Sequence, residues 1–188
     1  MKRATQLPDN ILDFLQDLFA RRGAEAYLGE IVTMAQHMEQ SAACAEADGA
    51  PDALIAAALL HDIGHFVGDF PLDALENGVD NLHEESGAQL LAHYYPVEIT
   101  EPVRLHVAAK RYLCAIDPEY QRKLSEASVQ SLMVQGGPMN ADEIAEFESN
   151  PHHRDAVRVR RYDDDGKVAG LTIKPFVDYH ALLQSLLK

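Results

Sequence analysis

Ala57-Ala58-Leu59-Leu60-His61-Asp62-Ile63-Gly64-His65 sets a histidine and an aspartate side by side where an apolar helix runs out. An adjacent His-Asp can give one imidazole to a metal ion and place a carboxylate where it bridges to a second, provided other ligands arrive from elsewhere in the fold. The chain holds such histidines at His37, His83 and His106. Alone, the dipeptide is equally well a hydrogen-bonded helix cap. Its weight depends on what surrounds it.

Outward from this helix the apolar spacing stays helical. Ile11, Leu12, Leu15, Leu18 and Phe19 recur at three and four and share a face. A second helix is expected from about Ala24 to Ala47, stopped by Asp48-Gly49 and Pro51, and a third from Asp52, a good N-cap, to Asp62. The segment 64–82 contains Gly68, Pro71 and Gly78 without a sustained period and reads as a surface loop or lid. His83 opens the next helix, which continues from Glu84 to His93. After the Pro96 break another begins at about Thr100 and carries His106 and Lys110. Gln135-Gly136-Gly137-Pro138-Met139 is a turn, Ala141 to Glu148 a short acidic helix and His152 to Asp163 a basic one. Val168 to Ile173 is the one strand candidate, so the expected class is all-α: a helical bundle with a dinuclear metal site in its core.

The 188 residues fit a single domain, and 47% hydrophobic content suffices for a core at that size. Asp9, Asp13 and Asp17 interrupt any apolar leader behind Met1-Lys2-Arg3, and no stretch is long enough to span a membrane. Cys44 and Cys114 form no CxxC pair, which argues against a disulfide framework and for a cytoplasmic setting. A formal charge of −14 opposes a nucleic-acid partner, because a phosphate backbone needs a basic surface.

A dinuclear site wants imidazoles, carboxylates and a bridging oxygen ligand. His37, His61, Asp62, His83, His106 and Asp163 supply six candidate ligands from five segments. Each single histidine also reads as a satisfied core residue; the joint pattern carries the inference. At roughly 100° per residue, Glu30 and His37 differ by only about 20° and Tyr27 lies within about 80° of both, so all three are expected on one helix face. Lys110 follows His106 by four and Arg160 precedes Asp163 by three, which carries two cations toward the proposed ligands. His65 adds a donor nearby. The plainer alternatives are that Lys110 and Arg160 pair with acidic neighbours on this acid-rich surface and that Tyr27 is a half-buried aromatic with a wet hydroxyl.

The order and spacing of His37, His61-Asp62, His83, His106 and Asp163 resemble the HD-domain superfamily, many members of which are metal-dependent phosphohydrolases. The words around them narrow the likeness. Tyr27-Leu28-Gly29-Glu30, Leu59 to His65, His106-Val107-Ala108-Ala109-Lys110-Arg111-Tyr112-Leu113, Gln135 to Met139 and Tyr162-Asp163-Asp164-Asp165-Gly166-Lys167 resemble the mixed-valent diiron oxygenases that break the carbon–phosphorus bond of 1-hydroxyphosphonates.

That resemblance implies two iron ions, Fe(II)/Fe(III), held by His37, His61, His83, His106 and Asp163 and bridged by Asp62. It implies O2 and a small phosphonate as reactants, with His65, Lys110 and Arg160 on the phosphonate and Tyr27 and Glu30 guarding the oxygen site. Buried anionic oxygens need such donors. Glu30 is placed for the substrate's cationic nitrogen. The family acts on 2-amino-1-hydroxyethylphosphonate and on its N-trimethylated analogue, giving glycine or glycine betaine together with phosphate. Phe66, Phe70, Asp69, Asp73 and Asp80 could wall in a quaternary ammonium, which favours the N-methylated substrate. Three rivals remain open: an HD-domain phosphohydrolase, an enzyme like the myo-inositol oxygenases, and a binding module without turnover.

Overall fold

The computed structural model describes residues 7–27, 30–68 and 79–188. Within them the chain is all-α, with no strand beyond an isolated bridge between Ala26 and Thr33. Its centre is α3 (Asp52–Leu60), in which every residue from Leu54 to Leu60 is buried. A helix apolar all round must be surrounded. Three helices do this: α2 (Met34–Ala47), α6 (Val97–Ile116) and α10 (His153–Asp165) pack against it and α10 also lies along α2 and α6. Ser41, Ala42 and Ala45 keep the buried face of α2 small enough for a close approach.

The remaining helices close the bundle. Asn10 caps α1 (Ile11–Arg22), accepting from the Leu12 and Asp13 amides, and α1 buries the predicted face from Ile11 to Phe19. After α3 the chain turns through His61, Asp62 and Ile63 into a short α4 (Gly64–Val67), packed on α5 (His83–Leu91). Gly64 is obligatory there, because a Cβ would stand 1.8 Å from the carbonyl oxygen of His83. α5 packs on α6, the longest helix. α7 (Pro118–Lys123), α8 (Glu126–Val134) and α9 (Ala141–Ser149) follow, and a 3-10 turn (Phe176–Tyr179) leads into α11 (His180–Ser185).

Several boundaries differ from expectation for identifiable reasons. α2 starts at Met34, ten residues later than its periodicity suggests, because Thr33 and Gln36 form a capping box. Tyr27 and Glu30 therefore lie in the turn before α2, not on its face, and the helix-face argument for them does not hold. Pro51 occupies the cap expected of Asp52, which is instead the first helical residue of α3, where its carboxylate favours the helix dipole. α3 ends at Leu60, two residues short of Asp62. Part of the expected 64–82 loop is α4; residues 69–78 lie outside the described residues. α6 begins at Val97 and accommodates Pro102, whose missing N–H leaves only the first-turn carbonyl of Glu98 without its partner. The strand candidate Val168 to Ile173 is irregular. Its Val168 amide and carbonyl pair with the side-chain amide of Gln40, at 2.8 and 2.9 Å, in place of a neighbouring strand.

Among the described residues no helix is long and apolar enough to cross a membrane, and Cys44 and Cys114 are both free.

Candidate metal centre

Five elements deliver the six proposed ligands to one buried point: α2 brings His37, the turn after α3 His61 and Asp62, the first residue of α5 His83, the middle of α6 His106, and the end of α10 Asp163. Each imidazole is fixed through Nδ1. His37 Nδ1 faces the Gly166 carbonyl at 3.0 Å, His61 that of Ala58 at 2.8 Å, His106 that of Val103 at 2.7 Å, and His83 the side-chain oxygen of Asn81 at 2.9 Å. With these acceptors Nδ1 carries the proton, so the neutral ring presents a lone pair at Nε2.

All four Nε2 atoms point inward. His37 and His61 meet Nε2 to Nε2 at 3.1 Å, as do His83 and His106. Asp62 stands between the pairs. Its Oδ2 lies 3.5 Å from both His37 and His61, and its Oδ1 lies 3.2 Å from His83 and 3.4 Å from His106. Asp163 Oδ1 joins the first pair, 3.4 Å from His37 and 4.0 Å from His61. Asp62 Oδ2 and Asp163 Oδ1 are buried without a hydrogen-bond partner. Lone pairs facing lone pairs around orphaned carboxylate oxygens require positive charge between them. His37, His61 and Asp62 could hold one metal ion, and Asp62, His83 and His106 form a second such group. The donors are imidazole and carboxylate, which suit iron, zinc and manganese.

Without a metal, positive charge enters this cage only as protons. Burial opposes protonation of His37, but the Asp163 and Asp62 carboxylates facing its Nε2 outweigh it and raise the ring to about 9. Burial prevails at His61, lowering it to about 4. Burial also works against ionisation of Asp62, yet the imidazoles around it, His61 foremost, hold it well below the usual carboxylate range.

A cavity of about 100 Å³ opens above the cage, and every predicted site residue lines it except His37 and His61, which lie behind. Tyr27 stacks flat on His37, ring centroids 3.9 Å apart at 14°, and burial raises its phenol well above the ordinary value. His65 stacks on His83 at 4.0 Å, with its Nδ1 3.3 Å from the Asn81 amide nitrogen. Lys110, buried, donates to Ser131 Oγ at 2.7 Å; its desolvation, with Arg160 nearby, lowers it to about 7. Arg160 is more committed than expected: it grips Asp163 Oδ2 at 2.7 Å, pairs with Asp164 and reaches the Tyr120 hydroxyl at 3.0 Å. By holding Oδ2 it leaves Oδ1 of Asp163 for the cage.

Of the suggested nitrogen wall, Asp80 lines the cavity. Phe66 instead joins the core, edge-on to Phe19 at 5.8 Å; Asp69, Phe70 and Asp73 lie outside the described residues. Sequence reasoning missed Asn81, Ser128, Ser131 and Lys167. Asn81, two residues before His83 and accepting from its backbone N–H at 3.3 Å, carried a legible turn signal; α8, which bears the two serines, carried none.

A cage of four histidines and two aspartates on a helical bundle, with an adjacent His-Asp as its pivot, defines a class. Residues 30–129 match the HD domain, and the chain belongs to the HD-domain family. Over 177 residues it is 49% identical to the [1-hydroxy-2-(trimethylamino)ethyl]phosphonate dioxygenase (glycine-betaine-forming) of Leisingera caerulea, covering 94% of this chain and 90% of that one. It is 45% identical to the hydroxymethylphosphonate dioxygenase of Gimesia maris, over 87% and 82% of the two chains. An uncharacterized protein of Acanthamoeba polyphaga mimivirus is 36% identical over 89% and 77%.

Proposed function

We propose that this chain is a diiron oxygenase that uses O2 to cleave the carbon–phosphorus bond of [1-hydroxy-2-(trimethylamino)ethyl]phosphonate, releasing glycine betaine and phosphate. The observation that carries this reading is the lopsided ligand set beneath a cation-lined cavity. His37, His61, Asp163 and Oδ2 of Asp62 would hold one iron, and His83, His106 and Oδ1 of Asp62 the other, which has fewer protein ligands and faces the opening. Likeness to two phosphonate dioxygenases over most of their length supports the reaction class.

Bound iron would supply redox chemistry with O2 and a Lewis-acid anchor for substrate oxygens. The chain's own residues do the rest. Lys110, His65 and Arg160 present donors to the phosphonate, and the burial of Lys110 and Arg160 strengthens the hydrogen bonds they would give. Tyr27, flat against His37, shields that side of the cage until substrate enters. Glu30 offers a carboxylate to the ammonium end. Residues 1–188 act as one HD domain in the cytoplasm.

The test is oxygen uptake by iron-loaded protein with phosphate release followed in parallel. The trimethylammonio substrate, 2-amino-1-hydroxyethylphosphonate and hydroxymethylphosphonate are supplied separately. One O2 consumed per phosphate, fastest with the trimethylammonio substrate, is the expected result. Phosphate released from an ester without oxygen consumption would return the chain to the phosphohydrolases.

A further inference from the structure

We propose that Lys167 is the resident counter-cation of Glu30, that a substrate ammonium takes its place, and that Lys167 thereby sets how strongly the site prefers a cationic phosphonate. This rests on the reading of Glu30 as the partner of the substrate nitrogen. Lys167 follows Asp163 by four residues, just beyond the end of α10, and its side chain is only 12% exposed. Its Nζ stands 3.6 Å from Glu30 Oε1 and 5.6 Å from the centre of the Tyr27 ring. A carboxylate beside an aromatic face is the environment that recognises a quaternary ammonium. In this structure a lysine of the chain itself fills it.

The surroundings fit a group that can leave. Glu30 stays anchored without Lys167, because Ser125 Oγ donates to it at 2.5 Å. Lys167 has another partner within reach of its four-carbon stem: Ser128 Oγ accepts from it at 3.2 Å. Its backbone does not have to move, since the next residue, Val168, is pinned to Gln40. A trimethylammonium group has no N–H to share and cannot sit beside a second cation on one carboxylate without strong repulsion. A phosphonate lacking nitrogen leaves the Glu30–Lys167 pair undisturbed. Lys167 therefore restrains binding of the cationic substrate relative to one without nitrogen.

Anaerobic titration of the iron-loaded protein with [1-hydroxy-2-(trimethylamino)ethyl]phosphonate and with hydroxymethylphosphonate gives a ratio of affinities. Lys167→Met should raise that ratio in favour of the cationic ligand by about tenfold, the outcome of removing one nearby like charge, with metal content unchanged. Lys167→Arg, which keeps the charge, should leave the ratio within about twofold of the parent value. If Lys167→Met weakens both ligands alike, or lowers the ratio, Lys167 grips the phosphonate and the proposal is wrong. Absence of binding by both phosphonates to the unsubstituted protein would sink the substrate class itself, whereas normal binding there with an unchanged ratio in Lys167→Met sinks the Lys167 proposal alone.

Discussion

Gly166→Ala adds one methyl group at a distance from every ligand atom and should nevertheless weaken the metal centre. The new Cβ would stand 2.5 Å from Ser41 Oγ, 3.0 Å from the Ser41 amide nitrogen and 3.1 Å from the His37 carbonyl oxygen. Ser41 cannot swing aside freely, being fully buried with its hydroxyl bonded to the His37 carbonyl at 2.9 Å. Ordinary contact with backbone needs about 3.4 Å or more, so residue 166 must retreat from α2 by roughly half an ångström. Its carbonyl is the acceptor that fixes His37 Nδ1 at 3.0 Å, and that bond would lengthen past useful range. Overpacking costs about 1–3 kcal/mol and the lost hydrogen bond about 1 kcal/mol. Loss of an orienting partner behind a metal-binding histidine lowers metal affinity by about 10–100-fold. Urea unfolding of the metal-free protein reads the first effect, and iron titration against a competing chelator the second. A variant that unfolds within about 0.5 kcal/mol of the parent and binds iron equally well would refute the claim that this close approach positions His37.

Asp62→Ala removes the only residue shared by both ligand groups and should reduce metal content from two ions to at most one; full occupancy by metal analysis would rule out bridging. Lys110→Met should keep both metals and weaken phosphonate binding by at least about tenfold, as expected for a lost charge-assisted hydrogen bond. The same change should stabilise the metal-free chain at pH 6. Burial holds Lys110 at about 7 against 10.5 for a free lysine, so folding disfavours its proton and stability rises with pH between those values. At pH 6 the buried charge is present, and removing it should contribute on the order of 2 kcal/mol after allowing for relaxation around the site; a variant less stable than the parent at pH 6 would contradict this. Glu101, held at about 2 chiefly by the Arg104 guanidinium, bonds it at 2.8 Å through both oxygens and also accepts from Asn150 at 2.9 Å. Its contribution is complete above about 4.5 and is lost as pH falls toward 2. Glu101→Gln should therefore cost about 1–2 kcal/mol at neutral pH, allowing for solvent screening. The gap to the parent should close in acid, as urea midpoints at pH 7 and pH 3 would show.

What the sequence disclosed follows from how each residue is carried. His106 with Lys110, and Arg160 with Asp163, ride on long helices, where periodicity fixes their relative direction; both pairs point into the cavity as expected. The apolar run of α3 identified the bundle's centre because seven successive buried residues leave no solvent face. Tyr27 and Glu30 were placed in the site by the family resemblance and by a helical argument, and the helical argument does not apply to them. The Thr33–Gln36 capping box moves the start of α2 past both, yet both line the same cavity. Lys167 was present in a quoted motif without an assigned role, because its contact with Glu30 joins segments 137 residues apart and leaves no periodic trace. α7 and α8 follow Asp117 and Ser125 caps that were readable, but six- and nine-residue helices with few buried positions carry little amphipathic signal.

The division between helix-borne and loop-borne residues also bears on how relatives with different named substrates can share one scaffold. All six cage residues sit on helices or in the turn directly after α3, buried where a shift of one side chain disturbs several neighbours. His83 depends additionally on Asn81, from the segment ahead of α5. The residues that the proposed function sets at the substrate's variable end, Glu30, Lys167 and Asp80, line the cavity from the segment ahead of α2, the segment after α10 and the stretch before α5. Changes there leave the bundle's packing intact. A trimethylammonio dioxygenase and a hydroxymethylphosphonate dioxygenase both resemble this chain, at 49% and 45% identity, and on the proposed reading the cage would meet the phosphonate and hydroxyl that the two named substrates have in common. On the same reading the nitrogen that distinguishes them would meet residues outside the helices, and the Glu30–Lys167 pair is the contact whose charge balance a cationic substrate would change.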